Sequence, residues 1–471
     1  MDRVRLKTRS PQDRVIEHPE AYMSRTPCLS RPGMSPHMTP FYLVLLSPSV
    51  DLSPPNAYLF SLRMPPPLFE RIPIPHERSK HPRFIGKDRM TIPEVIQHTQ
   101  EKSEQDKLES IDWSFASRES PHPIEAIHPY PAKFIGEIPR SLLMTLPCPK
   151  GTVIFDPFMG SGTTLLEAQR FGLPSVGIDL NPIACLIARV KTGPPLPALA
   201  KMAHSIVDAA QKITVTRTID IPNVNHWFKP EIQEAIVSLL QEIDTVKEPS
   251  LYDALRLALS SILVRVSNQE SDTRYAAIEK NVSRVDVFEK FVEAAGKLCK
   301  ILLSRNWTQT SARVIESNTL TISPELLPER VGLVITSPPY PNAYEYWLYH
   351  KYRMWWLGFD PLMIKNQEIG ARAHFFKRDH HTEENFRNQM RKTFRLITEV
   401  LTKRGYACFV IGRSKIHGRI IDNAEIIQEV SDENGFSMIT RIERPISTSR
   451  KSFNLYHANI RTETVLVLQK H

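Results

Sequence analysis

Two short runs in this chain combine residue types that could do chemistry. Asp156-Pro157-Phe158-Met159-Gly160-Ser161-Gly162-Thr163-Thr164 sets glycines and hydroxyls directly after an acid. Such glycines let a backbone turn sharply and approach a ligand where a side chain would collide. Thr336-Ser337-Pro338-Pro339-Tyr340 offers a hydroxyl acceptor at Ser337, a carbonyl at Pro338 and an aromatic face at Tyr340. The prolines restrict the turn and remove competing N–H donors, which leaves that carbonyl free. A turn of this kind can accept hydrogen bonds from an amino group, draw its nitrogen toward tetrahedral geometry and aim the lone pair at an electrophile. No strong base is required, because a cationic product sheds its proton readily; alignment and electrostatics would carry catalysis.

Strands and helices must hold both runs. Residues 151–156 read as a buried strand ending in an acid, Thr163 to Phe171 as a helix, and residues 174–179 as a second strand ending in Asp179. Asn181 to Lys191 reads as the next helix, with Asn181 as cap and Pro182 at its first position. Ile135 to Leu146 is a further short helix. Downstream, Val331 to Thr336 is a strand running into the proline turn, Phe386 to Lys403 an amphipathic helix, Tyr406 to Ile411 a strand and Ala424 to Asn434 a helix. Phe436 to Ile442 and Glu463 to Gln469 suit a terminal antiparallel hairpin. The order of elements, with acids at strand ends, is that of a doubly wound nucleotide-binding sheet. In that setting the glycine pair carries much more weight than it would alone. The loop lacks the lysine of a phosphate-binding P-loop, and Asp179, 17 residues after Gly162, can accept from both ribose hydroxyls.

Asp156 to Thr164 resembles the cofactor motif of amino-methylating DNA methyltransferases, and His128-Pro129-Tyr130-Pro131-Ala132-Lys133-Phe134 is similar to the segment that covers the methionine end of the cofactor there. The resemblance spans about residues 125–470. It implies an α/β fold: a doubly wound, mostly parallel Rossmann-like methyltransferase sheet with a terminal antiparallel hairpin and a largely helical insertion. The implied cofactor is S-adenosyl-L-methionine. Phe158, Gly160, Ser161 and Gly162 would surround its methionine portion, Asp179 would hold its ribose, and Tyr130, Lys133, Asp156 and Thr163 complete the expected set. Glu316 or Asn318 falls where the family often places an acid near adenine. Ser337, Pro338, Pro339 and Tyr340 are the expected catalytic residues, with Tyr340 stacking on an extruded base. A serine at the first turn position usually accompanies N4-cytosine methylation, and Asp or Asn there N6-adenine methylation. The implied partners are double-stranded DNA and a cognate restriction endonuclease. The lack of a Pro-Cys nucleophile in an equivalent turn argues against C5-cytosine chemistry. N6-adenine methylation, amino-group methylation of structured RNA, and a catalytically silent nucleic-acid-binding protein are the competing readings.

Composition sets the limits around these readings. The net charge is +9, but residues 1–90 carry 14 Lys or Arg against 8 Asp or Glu, so most of the excess lies there. The same stretch holds 15 of the 39 prolines and reads as a disordered basic tail, or as sequence upstream of the true start with Met90 as a candidate initiator. On the resemblance, residues 91–195 would form the first part of a methyltransferase domain, 196–310 a helical insertion suited to target recognition, and 311–471 the catalytic part. The 137 residues between Gly193 and Val331 exceed what one more helix, strand and helix need by about 80. Asn342 to His381 reads as an irregular stretch whose aromatics and cations, from Tyr344 to Trp356, suit stacking and phosphate pairing, although Trp355 and Trp356 fit the buried face of a helix. Arg372, His374, Lys377 and Arg378 form a candidate backbone-contacting loop, and Arg441, Arg444, Arg450 and Lys451 a second basic patch, with a solvated face as its default reading. Five scattered cysteines, never spaced CxxC, argue against a disulfide framework or zinc site and fit a reducing cytoplasm. No apolar run approaches the ~18 residues that span a bilayer.

Overall fold

The computed structural model describes residues 102–471 except 118–119, 121, 133, 216–217, 273, 307–309, 329, 343, 377–379 and 447–461. The tail reading of residues 1–90, Lys133, the pair Lys377 and Arg378, and the pair Arg450 and Lys451 lie outside the described residues. Seven strands form the main sheet: β1 Val153–Asp156, β2 Ser175–Asp179, β3 Ala312–Glu316, β4 Val331–Thr336, β5 Leu401–Gly412, β6 Phe436–Pro445 and β7 Thr462–Lys470. Their order is β3-β2-β1-β4-β5-β7-β6. β1 to β5 pair in parallel, and β7 runs antiparallel between β5 and β6, which makes the expected terminal hairpin part of the sheet. The order reverses between β1 and β4, the switch point where open α/β sheets leave a crevice beyond the strand ends. Asp156 ends β1 and Thr336 ends β4, so the two chemical runs leave the sheet side by side there.

Apolar residues of the strands go to alternate faces. Phe155, Val176, Val334 and Phe409 pack on one face against helices α9 (Glu383–Val400) and α10 (Asn423–Glu433). Ile154, Leu333, Val410 and Val465 pack on the other against α1 (Glu137–Thr145). β4 is buried throughout, as a strand covered on both faces must be. After β1 comes α2 (Thr163–Arg170), and after β2 comes α3 (Pro182–Thr192). Asn181 caps α3 as expected, its side chain accepting from the Ile183 N–H at 2.9 Å with Pro182 at the first position.

The long segment between β2 and β3 is mainly helical: α4 (Leu199–Ala210), α5 (Pro230–Ile243), α6 (Pro249–Val266) and α7 (Arg284–Leu303), with a small two-stranded ribbon after α6. It does not pack as a separate body. Its core is continuous with Ile183, Leu186 and Ile187 of α3 and with Trp347, Met354 and Trp356 of α8 (Tyr346–Trp356). Among the described residues no helix is long and apolar enough to cross a membrane.

Two expectations are corrected. The helix expected over Phe386 to Lys403 stops at Val400, because Leu401 pairs with Val331 as the first residue of β5 and Arg404 takes a φ of +59°, which a helix excludes. The stretch expected to be irregular from Asn342 to His381 contains α8 and two shorter helices. The N-terminus of α8 is held from a distance: the Glu368 carboxylate accepts from the Tyr346 N–H at 2.7 Å and the Trp347 N–H at 2.8 Å. No local sequence signal announces such a cap.

Candidate active site

β1 delivers its last side chain, Asp156, into the interior at 1% exposure. One of its oxygens accepts from Thr336 Oγ1 at 2.6 Å and from the Phe158 N–H at 3.0 Å, which ties the end of β1 to the end of β4. Burial pushes its carboxyl up to about 6. The loop then folds back toward β2. Gly160 donates its N–H to Asp179 Oδ2 at 2.9 Å, and the Asn181 N–H donates to Asp179 Oδ1 at 2.8 Å. Asp179 is likewise raised by burial to about 6, against the pull of these two N–H groups. A Cβ on Gly160 would sit 3.4 Å from the Tyr130 hydroxyl, so backbone and phenol close on each other here. Tyr130 is fixed in turn by stacking on Tyr346 and His350, with ring centroids 5.8 Å and 5.3 Å away.

Gly162 serves another purpose. It lies at φ +76° at the start of α2, and a Cβ there would come within 2.8 Å of the Ala188 Cβ on α3. It is not among the residues that line the cavity, and its missing side chain lets α2 and α3 approach.

The proline turn is anchored on the neighbouring strands. Ser337 Oγ donates to the Val410 carbonyl of β5 at 2.9 Å, which commits its proton and leaves its lone pairs as acceptors. Tyr340 Oη donates to Glu463 Oε1 of β7 at 2.8 Å. No hydrogen bond among the described residues engages the Pro338 carbonyl. Turn and loop face a single cavity of about 910 Å³. Ser337, Pro338, Pro339 and Tyr340 line it together with Tyr130, Asp156, Phe158, Gly160, Ser161, Thr163 and Asp179. Eleven of the thirteen expected site residues therefore meet in one space, Gly162 lies between two of them at the start of α2, and Lys133 is not described.

Three participants escaped the sequence reading. Lys191 is buried beneath the glycine loop and donates to the Ser161 carbonyl and, at 3.2 Å, to Ser161 Oγ. Glu368 lines the cavity, and burial pushes its carboxyl up to about 8. Glu463 lines it as well. A cation in the last turn of a helix reads as a dipole partner, and isolated acids in loops and strands carry no pattern, so only the tertiary fold reveals them.

The proposed nucleic-acid contacts fare differently. His374 is 7% exposed, too buried for phosphate contact, while Arg372 lies on the short helix Arg372–Phe375. Arg441 pairs with Asp422 at 2.7 Å, and Arg444 with Glu463, so neither is an open surface cation. On α8, Trp347, Tyr352, Arg353 and Trp356 are buried, and Arg353 pairs with Asp272 of the helical segment, so these four belong to the core, whereas Tyr344 and Tyr346 line the cavity. Trp355 is half-buried against the same core. His128 is also buried, its Nε2 3.0 Å from Ser260 Oγ. Asn318 lines the cavity, whereas Glu316, the register neighbour of Asp179, lies 4.0 Å from Arg189 instead.

Residues 76–189 match the family model described as DNA methylase. The chain is 25% identical over 241 residues to the Type II methyltransferase M.MvaI of Kocuria varians, a match covering 46% of this chain and 53% of that protein. It is 42% identical over 86 residues to the Type II methyltransferase M.MjaII of Methanocaldococcus jannaschii, covering 17% of this chain and 16% of that one. The chain thus spans about half the length of the first relative and less of the second. Among solved structures, TrmN from Thermus thermophilus is similar over 74% of this chain and 52% of its own, at 12% identity and a TM-score of 0.30. At that score the fold rests on the strand order of the chain itself.

Proposed function

We propose that this chain, which belongs to the amino-methylating DNA methylase family, transfers a methyl group from S-adenosylmethionine to the N4 amino group of a cytosine flipped out of duplex DNA. The observation that carries the proposal is the anchored Ser337, whose proton is committed to Val410 and which lines the cavity that also holds Asp179 and Gly160. The residues present fit the cofactor. Gly160 brings bare backbone against the cavity where a Cβ would press on Tyr130, and Asp179 presents a carboxylate at the end of β2 for two ribose hydroxyls. At about 910 Å³ the space lies near the upper end of ligand pockets, enough for a cofactor and a base together.

When bound, S-adenosylmethionine supplies an electrophilic methyl group on a sulfonium. Ser337 Oγ and the Pro338 carbonyl accept the two amino hydrogens of the base, which draws the nitrogen lone pair out of the ring and aims it at that methyl. Tyr340 offers the stacking face, and its anchor to Glu463 holds the ring edge-fixed. With the amine held by Ser337 and the Pro338 carbonyl, a cofactor seated against Gly160 and Asp179 would supply the methyl group, and the cationic amine would then lose a proton to water. The helical segment 196–310 serves as the target-recognition region in this reading, and Phe158, Ser161 and Thr163 complete the cofactor cradle.

Product analysis tests the chemistry: DNA methylated by the chain, digested to nucleosides and separated by mass, should contain N4-methylcytosine. N6-methyladenine in its place would reassign the base. Ser337→Ala should lower turnover by about 10²–10³-fold while cofactor affinity stays within about twofold. Equal loss of both would remove Ser337 from the reaction.

A further inference from the structure

We infer that Arg444 reads the ring of the target base beside its amino group, an assignment that rests on the cytosine reading above. Three neighbouring strands each hold one part of the site. Ser337 is tied to Val410 on β5, Tyr340 to Glu463 on β7, and Glu463 is the direct cross-strand partner of Arg444 on β6. Moving outward across the sheet from the cofactor loop, one therefore passes the amine acceptor, then the stacking tyrosine, then a guanidinium.

The hydrogen bonds decide which of these groups is available. Both oxygens of Glu463 are tied, one accepting from Tyr340 and the other from Arg444 Nη1. Arg444 donates through Nε to the Trp113 carbonyl at 3.1 Å. A guanidinium has five N–H donors in a fixed planar fork. Among the described residues those on Nη2 have no partner, and the side chain lines the same cavity as Ser337 while only 6% exposed. A rigid donor set, held by an acid and a carbonyl, thus lines the cavity that the base would enter.

Base chemistry supplies the selectivity. Around the ring from its amino group, cytosine presents N3 and then O2, two acceptors in succession, whereas adenine presents N1 and then a C–H. A donor fork matches the first and leaves an N–H facing carbon in the second. Sites built to hydrogen-bond a substrate group reject analogues lacking it far more strongly than apolar pockets do. Arg444 is in this view a specificity-determining residue, and Glu463 the positioning residue that fixes both it and Tyr340.

The test uses the full chain. Wild-type protein is first run on unmodified plasmid DNA with labelled S-adenosylmethionine, which identifies the methylated base and its sequence. Duplex oligonucleotides of that sequence then carry either cytosine or a 2-aminopyridine C-nucleoside, which keeps the amino group and adjacent ring nitrogen but lacks the 2-oxo group. Wild type should prefer cytosine by about 10²-fold or more. Arg444→Met and Arg444→Lys should bring that ratio to within about tenfold of unity while binding S-adenosylmethionine, by calorimetry, as wild type does. Arg444→Lys keeps a charge for Glu463 but lacks the fork, so it decides the matter if the methionine variant folds poorly. Variants that bind cofactor normally and retain the wild-type ratio overturn the inference alone, and loss of cofactor binding in both variants overturns it in favour of a structural role. Wild-type product consisting of N6-methyladenine overturns the cytosine reading first and the inference with it.

Discussion

Asp179 gives both carboxylate oxygens to backbone N–H groups and still faces the cavity, so its charge state sets how it can receive a ligand. With its carboxyl raised to about 6 by burial, it is ionised at pH 7 and takes up a proton just below. A protonated carboxyl accepts less well from a ribose diol. Cofactor affinity should therefore be level from pH 8 to pH 7 and weaken below about 6, approaching tenfold per unit. Asp179→Asn should bind more weakly at pH 7 and vary little with pH; calorimetry at pH 5 to 8 checks this, and parallel profiles for the two proteins would count against it. Ser337 and Asp179 were legible in the sequence because one directly follows and the other closes a strand whose apolar run announces itself. Lys191, Glu368 and Glu463 were not, because each acts on a group reached only through the fold: Lys191 on Ser161, Glu368 on the first turn of α8, Glu463 on Tyr340.

At the level of elements, the join between α2 and α3 depends on the missing side chain at Gly162. Gly162→Ala should destabilise the protein by about 1–3 kcal/mol, combining overpacking against Ala188 with strain at φ +76°. Adding Ala188→Gly should recover the overpacking part and leave the backbone part. Urea unfolding of both variants and of Ala188→Gly alone, which carries the cost of a glycine inside α3, separates the contributions, and an additive cycle would show that the contact itself costs nothing. The strands and helices near the glycine loop follow the sequence closely, since Asn181 with Pro182 and the apolar strands are local signals. The end of α9 and the whole of α8 depart from it for a common reason: partners distant in sequence, Val331 for Leu401 and Glu368 for Tyr346, override the local pattern.

On the scale of the whole molecule, the sheet order was implicit in alternating strands and helices, whereas the attachment of the helical segment was not. It reads as a helical insertion by its length alone, and its apolar residues close over α3 and α8. Excising residues 199–303 behind a short linker should expose Ile183, Leu186, Ile187, Trp347, Met354 and Trp356. At ~1.5–3 kcal/mol for each large apolar side chain, the loss is on the order of 10 kcal/mol, comparable to the stability of a domain. The shortened chain should lack a cooperative urea transition; a sharp one with intact cofactor binding would refute this. The same shared core bears on transplantation. A graft of the helical segment from a relative, cut at residues 196 and 310, would leave Met354 and Trp356 facing a surface they were not shaped for. Under the proposed target-recognition role, a donor piece would have to bring its own version of residues 346–356, and with them the acid that holds their first turn.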